Sequence, residues 1–322
     1  MAGTLLMAIG NAVYAQWAAN MAVSLKYHNP GMPIALVVDP ACKAHLSKEE
    51  LGLFHSVIDI NPAHCTVSGN FAPGYAKLHM YDYSPFEETI YLDVDGLCIK
   101  PLSGLFELCS GKQVASQVNT VSTEENEVWP CQWMSLPDTR TVYGLPEKFN
   151  LPEINSSFMY FKKGPAAERY FDVAKQCHLP EYQTTWGKSF PDELAFNVAA
   201  ALCDEDLKIS DDKDTPVKFK MSEHDISALH THTYAIGLYG ASSNDMLKTY
   251  KNYGRYSLKY WAALMGRTCP YKYHHMMARK FVLGGRPLVG KRFTIPEPVK
   301  ISVPEKPKSD KSKQTKKKTA DA

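Results

Sequence analysis

Apolar positions along the first 120 residues alternate between two rhythms. Thr4 to Ile9 is a continuous apolar run that stops at Gly10-Asn11, the pattern of a buried strand. From Tyr14 to His28 the spacing changes: Trp17, Met21 and Leu25 fall on one helical face with Ala18 and Ala22 beside them, and Asn29-Pro30-Gly31 closes the helix. Ile34 to Val38 predicts a second strand turning at Asp39-Pro40, Leu46 to Phe54 a short helix, and Val57 to Ile60 a third strand. Pro73 to Tyr83 predicts a helix, Thr89 to Leu92 a fourth strand, Leu102 to Leu108 a short helix and Val114 to Val118 a further strand. Strands separated by helices at this rhythm predict βαβ units and an α/β fold with a mostly parallel sheet flanked by helices.

The pattern weakens between residues 119 and 153, which are rich in Trp, Pro, Glu and Thr and predict a long excursion over the active site. Order resumes with a strand at Ile154 to Phe161 and helices at Pro165 to Cys177 and Pro191 to Leu202, followed by a strand at Val217 to Met221. A mixed segment with His230 and His232 spans Ile226 to Leu238. The organisation expected is a main domain over 1–240, a C-terminal helical extension over 241–295 whose long helix covers Asn244 to Met265, and a disordered Pro/Lys-rich tail over 296–322.

Composition adds little to this picture for the body and more for the end. A formal net charge of +2 over 322 residues marks no particular partner, but seven lysines fall between Glu305 and Lys318. Such a basic segment serves either as a solubilising end or as a salt-sensitive contact to nucleic acid. The eight cysteines, at 42, 65, 98, 109, 131, 177, 203 and 269, form no C-x-x-C pair and predict reduced thiols in a soluble, cytoplasmic protein. No run approaches the ~20 apolar residues of a membrane span.

The candidate chemistry lies at the carboxyl ends of the strands, where ligands bind in open parallel sheets. Asn11 and Tyr14 follow the first strand, Asp39 the second, and Asp93 and Asp95 the fourth. Thr89-Ile90-Tyr91-Leu92-Asp93-Val94-Asp95-Gly96 is a buried strand ending in two carboxylates one residue apart. Two such groups reach one hard divalent cation and leave coordination sites open for phosphate oxygens. A solvated turn is the alternative for a bare D-x-D. The first strand is not followed by G-x-G-x-x-G, which disfavours a dinucleotide oxidoreductase, nor by a Gly-rich, Arg-containing loop, which disfavours a sugar nucleotidyltransferase.

The stretch Tyr75-Ala76-Lys77-Leu78, the D-x-D strand, and Pro101-Leu102-Ser103-Gly104-Leu105-Phe106-Glu107 together resemble the glycogenin-like family of GT-A glycosyltransferases. The opening Ala8-Ile9-Gly10-Asn11 and Tyr14 are similar to that family's first strand and helix, and the resemblance covers most of residues 4 to 240. It implies a GT-A, Rossmann-like fold and a retaining transfer of a sugar from a nucleotide-sugar donor, a UDP-sugar, with Mn2+ or Mg2+. By resemblance, Asn11 and Tyr14 lie near the base, Lys77 contacts the donor, Asp93 and Asp95 hold the metal, and Asn155 and Ser156 line the sugar site. Asp192 and Glu193 match a helix start whose carboxylate serves the sugar or the anomeric carbon; an Asp there also favours the helix N-terminus by itself. A third metal ligand would be His230 or His232, with His232 preferred. Ser157, Glu193 and the histidine segment depart from the family pattern. The acceptor is open between glycan, protein and nucleic acid, including transfer to modified bases, and the departures also allow a non-catalytic nucleotide-sugar-binding protein.

Overall fold

The computed structural model describes residues 1–10, 12–98, 100–123, 134–179, 191–209, 216–219 and 234–237. The readings of Asn11, of His230 and His232, of the extension over 241–295 and of the tail over 296–322 therefore lie outside the described residues.

The elements are β1 (Ala2–Ala8), α1 (Ala12–His28), β2 (Ile34–Val38), α2 (Pro40–Lys43), α3 (Lys48–Leu51), β3 (Ser56–Asp59), a 3-10 turn (Pro62–Cys65), and the small hairpin β4 (Thr66–Val67) and β5 (Asn70–Phe71). They continue as α4 (Pro73–Lys77), α5 (Met80–Tyr83), β6 (Glu88–Leu92), β7 (Gly96–Cys98), α6 (Ser103–Leu108), β8 (Val114–Ser122), α7 (Leu136–Tyr143) and β9 (Leu151–Lys162). The last described elements are α8 (Pro165–Gln176), α9 (Asp192–Cys203), β10 (Val217–Phe219) and β11 (Ala235–Gly237).

Six strands form the main sheet in the order β3-β2-β1-β6-β9-β8. The first three pairings are parallel and the last two antiparallel. Alternation along each strand divides the core into two layers. Leu5, Met7, Val37, Tyr91 and Phe161 face α8 and α9, whose Tyr170, Phe171, Leu194 and Phe196 complete that layer. Leu6, Ala8, Leu36, Val38, Ile90 and Leu92 face α1 and α6, through Trp17, Met21, Leu25 and Leu105. Helices on both faces of a mixed, mostly parallel sheet make this the predicted α/β class, with Met21 and Leu25 each 1% exposed on the predicted face of α1.

Three local expectations are corrected. The helix predicted over 46–54 is one turn, Lys48–Leu51, opened by a Ser47–Glu50 capping box and ended at Gly52. The helix predicted over 73–83 breaks after Lys77 into α4 and α5, with His79 at the junction. Within the excursion predicted over 119–153, β8 runs on to Ser122 and pairs with β9 as far back as Leu151. The same stretch holds α7, capped by the Ser135 side chain and stopped by Gly144 at φ 63°. β-Bulges at Ser116/Gln117 and Val118/Thr120 interrupt the period-two pattern, which hid this longer hairpin from sequence reading.

Candidate functional site

The carboxyl ends of β1 and β6 open into a cleft of about 260 Å³. Its walls are Ile9, Tyr14, Pro73, Gly74, Lys77, Tyr91, Asp93, Asp95 and Asp192. Sequence distance between these residues is large; the parallel crossing of β1 and β6 closes it.

The end of β1 is shaped by backbone demands. Gly10 has φ +94°, and the Phe71 ring lies 2.7 Å from where a Cβ at this position would stand, so both conformation and close approach require glycine. The Gly10 amide donates to Asp39 Oδ2 at 2.6 Å, while Asp39 Oδ1 accepts from the Cys42 amide at 2.6 Å and caps α2. Asp39 thus ties two strand ends together.

Asp93 is set by the strand it ends. Its amide donates to the Ser157 carbonyl at 2.9 Å, extending the β6–β9 pairing one residue past Leu92. Tyr91, two residues back and therefore on the same face, donates its hydroxyl to Asp93 Oδ1 at 2.5 Å. The chain beyond the D-x-D is braced from α1. Ser24 Oγ accepts from the Cys98 amide at 2.9 Å and Asn29 Oδ1 from the Leu102 amide at 2.6 Å, both inside the core.

Lys77 sits at the centre of the charges. Its ammonium is 2.8 Å from Asp93 Oδ1 and 3.6 Å from Asp192 Oδ2, and donates to Ser156 Oγ at 3.4 Å. Burial alone would push this ammonium down; the Asp192 and Asp93 carboxylates outweigh it and hold it well above the ordinary lysine range. Asp192 opens α9 with its side chain 16% exposed and its Oδ2 buried without a hydrogen bond. Glu193 Oε1 accepts from the Ser156 amide at 3.5 Å, joining α9 to β9.

Asp95 is the least satisfied group. Its Oδ1 is buried with no hydrogen-bond partner. Burial, then the adjacent Asp93 carboxylate, push its pKa up to about 7. Tyr14, stacked at a tilt on Trp17 with centroids 5.1 Å apart, is also raised, first by burial and then by Asp95 and Asp93.

This arrangement fits a divalent cation. Three carboxylates line the cleft with one lysine, and the orphaned Asp95 oxygen lies where charge is in deficit. Among the described residues no group of three or more His, Cys, Asp and Glu stands in metal-holding geometry, so Asp192 belongs with Lys77 rather than with the D-x-D pair as a third ligand.

Of the sequence-predicted residues, the fold brings together Tyr14, Lys77, Asp93, Asp95 and Asp192, with Ser156 and Glu193 linked to them by hydrogen bonds. Asn155 is turned to its own strand: its Oδ1 accepts from the amide and hydroxyl of Ser157. Tyr91 was missed, although its place two residues before Asp93 was the signal for it. Gly10 is marked in the sequence as the end of the first strand, but its close approach to Phe71 is not, because that contact joins distant segments.

No protein-family model matches the sequence, and no curated protein is detectably similar to it. Solved structures do match. The bifunctional glycosyltransferase WbbM aligns with a TM-score of 0.51 at 10% identity, over 86% of this chain and 51% of that one, so the chain spans about half of WbbM. The chain has the GT-A glycosyltransferase fold. Two further matches are the galactosyltransferase LgtC in complex with donor and acceptor sugar analogues and mouse xyloside xylosyltransferase 1. LgtC gives a TM-score of 0.46 at 14% identity, over 86% of this chain and 95% of that one. The mouse enzyme gives a TM-score of 0.47 at 15% identity, over 76% and 99%. Within the GT-A fold, the cleft described above lies at the carboxyl ends of the parallel strands. No helix among the described residues is long and apolar enough to cross a membrane.

Proposed function

We propose that this protein is a metal-dependent glycosyltransferase. It moves a sugar from a nucleotide-sugar donor, a UDP-sugar, to an acceptor hydroxyl. The observation that carries this reading is the cleft itself: the paired Asp93 and Asp95, with a buried orphaned oxygen, face Lys77 and Asp192 at the strand ends.

Asp93 and Asp95 would hold Mn2+ or Mg2+, which when bound supplies Lewis-acid stabilisation to the departing diphosphate. The chain's own residues do the remainder. Lys77 places a cation beside the D-x-D pair, where it offsets diphosphate charge. Tyr14 offers a flat ring with a polar tip to the base. Ser156 and Glu193, with Asp192 behind Lys77, present oxygens to sugar hydroxyls at the β9 edge of the cleft. In the transfer, the bond between the anomeric carbon and the diphosphate oxygen breaks, the acceptor oxygen bonds to that carbon, and the acceptor proton passes to the departing diphosphate. Retention of configuration follows the family resemblance. The eight cysteines of the sequence form no C-x-x-C pair, which supports a reducing, cytoplasmic setting.

Screening nucleotide sugars for hydrolysis with and without Mn2+ tests the reading. Wild-type protein is expected to release sugar only with metal, and Asp93→Ala/Asp95→Ala to lose about 10³-fold or more. Undiminished, metal-independent turnover by the double variant would sink it.

A further inference from the structure

The break between α4 and α5 and the 3-10 turn beside it each carry a histidine that the transfer chemistry does not use. His79 follows the Leu78 cap of α4, two residues past Lys77, and His64 stands on the 3-10 turn. Their rings are stacked with centroids 3.7 Å apart and planes within 3°. The turn is also tied to the start of α4, because the Ala72 amide donates to the Cys65 carbonyl at 2.8 Å.

The Tyr83 hydroxyl accepts from the Asn61 amide at 2.8 Å and lies 2.9 Å from His64 Nδ1, so the turn and α5 meet at this ring. His79 Nδ1 lies 3.0 Å from Asp82 Oδ2, and its Nε2 is buried with no hydrogen-bond partner.

The surrounding charges and titratable groups come from four directions. Asp82 and Tyr83 lie on α5, and Cys65 on the turn itself. Lys175, on α8, bonds Asp82 at 3.2 Å and Asp172 at 2.8 Å. Tyr75, on α4, sets its edge against His79, and the His178 ring lies 4.7 Å from Tyr75. A carboxylate serves His79, but His64 has no acid of its own.

We propose that the stacked His64–His79 pair is an acid-sensitive clamp on α4, and that it positions Lys77 in the cleft. Closed, it fastens the turn and hairpin to α4 through two flat, stacked rings. A proton on His64 sets a cation face to face with the stacked His79 ring, 3.7 Å away. Burial, and next His79, push the His64 imidazole below the ordinary histidine range. A depressed histidine stabilises the fold fully above pH ~6.5 and loses that contribution as pH falls through the lower folded value. The clamp therefore opens on acidification, and the ground for placing its consequence at the donor site is the reading given above for Lys77.

Amide hydrogen exchange on the full chain, expressed as protection factors at pH 7.5 and 5.0, tests the clamp without any ligand. Residues 62–79 of wild type are expected to lose about tenfold in protection relative to β1. His64→Phe keeps a flat stacked ring without a titrating proton and is expected to retain protection at pH 5.0. Equal acid loosening in both proteins, or none in wild type, overturns the proposal. Should His64→Phe misfold, the His64 ring titration followed by NMR in wild type replaces it. A loosening midpoint that departs from the ring's midpoint then overturns the clamp. Calorimetry with UDP and Mn2+ reads the link to Lys77: acid weakening of wild type should exceed that of His64→Phe about tenfold, and equal weakening removes the positioning role. If UDP binds neither protein at either pH, the donor-site reading fails while the exchange result still decides the clamp.

Discussion

Helix α9 has a carboxylate cluster at each end, and Asp95 in the first and Asp206 in the second are shifted in opposite directions. At its start, Asp192 joins Asp93 and Asp95 around a single lysine inside the cleft. Past its end, Asp204, Glu205 and Asp206 lie beside a second cavity of about 500 Å³ with Lys148 and Lys208 in its wall. There Asp206 is 75% exposed and meets Lys112 at 2.6 Å. Burial raises Asp206, but the bonds from Lys112 and the Lys208 amide, with the charges of both lysines, together outweigh it and hold the acid below its usual range. Asp95, of the same residue type, is pushed up to about 7. Solvent and a matched cation make Asp206 an ordinary surface carboxylate; enclosure and the neighbouring Asp93 make Asp95 a buried acid short of positive charge.

The comparison can be broken most severely at Lys77. Lys77→Met leaves Asp93 and Asp192 without their shared cation, and is expected to cost about 2–3 kcal/mol in urea unfolding at pH 7.5, with loss of nucleotide-sugar turnover. An unchanged midpoint would show that the cleft carboxylates are as well solvated as those beyond α9.

Asp95→Asn should move stability the other way. The Asp95 carboxyl has a folded pKa raised from 3.8 to about 7, so its contribution is present at low pH and is lost as pH rises from ~4 through ~7. In chelator at pH 8 the variant is expected to be about 1–2 kcal/mol more stable than wild type, with little difference at pH 4, while turnover is lost. Adding Mn2+ at pH 8 should stabilise wild type and leave the variant nearly unmoved.

Tyr91→Phe removes the hydroxyl donor to Asp93 and is expected to cost about 1 kcal/mol. Its effect on metal-dependent turnover should exceed its effect on stability, read as a weaker apparent affinity for Mn2+. At the other end of the scale, Lys112→Ala breaks the pair with Asp206 and should cost less than about 0.5 kcal/mol, further reduced in high salt, with turnover intact.

The chain order of strands and helices, the buried face of α1 and the D-x-D at the end of β6 are all legible in the sequence, because they rest on period and on neighbours within a few residues. The α4–α5 break was not, since Tyr81 and Tyr83 continue the helical pattern of Tyr75 and Leu78. Nor was the long β8–β9 hairpin, where bulges shift the alternation. In the site, Asp93, Asp95, Lys77 and Asp192 were each named from sequence. Whether they share one charge balance depends on how α4, β6 and α9 meet.

By itself the sequence determined the α/β class, the strand ends where ligands bind, and a pair of carboxylates suited to a cation. Hydrophobic period and turn residues act locally, and a one-dimensional string carries them intact. Only the tertiary structure decided which acids count. Asp95 and Asp206 are the same side chain; Asp93 stands two residues from the first, but nothing near either in sequence says that one is enclosed and the other solvated and paired with Lys112. That difference is desolvation and distance, and both come into being when segments far apart in the chain close around the same space.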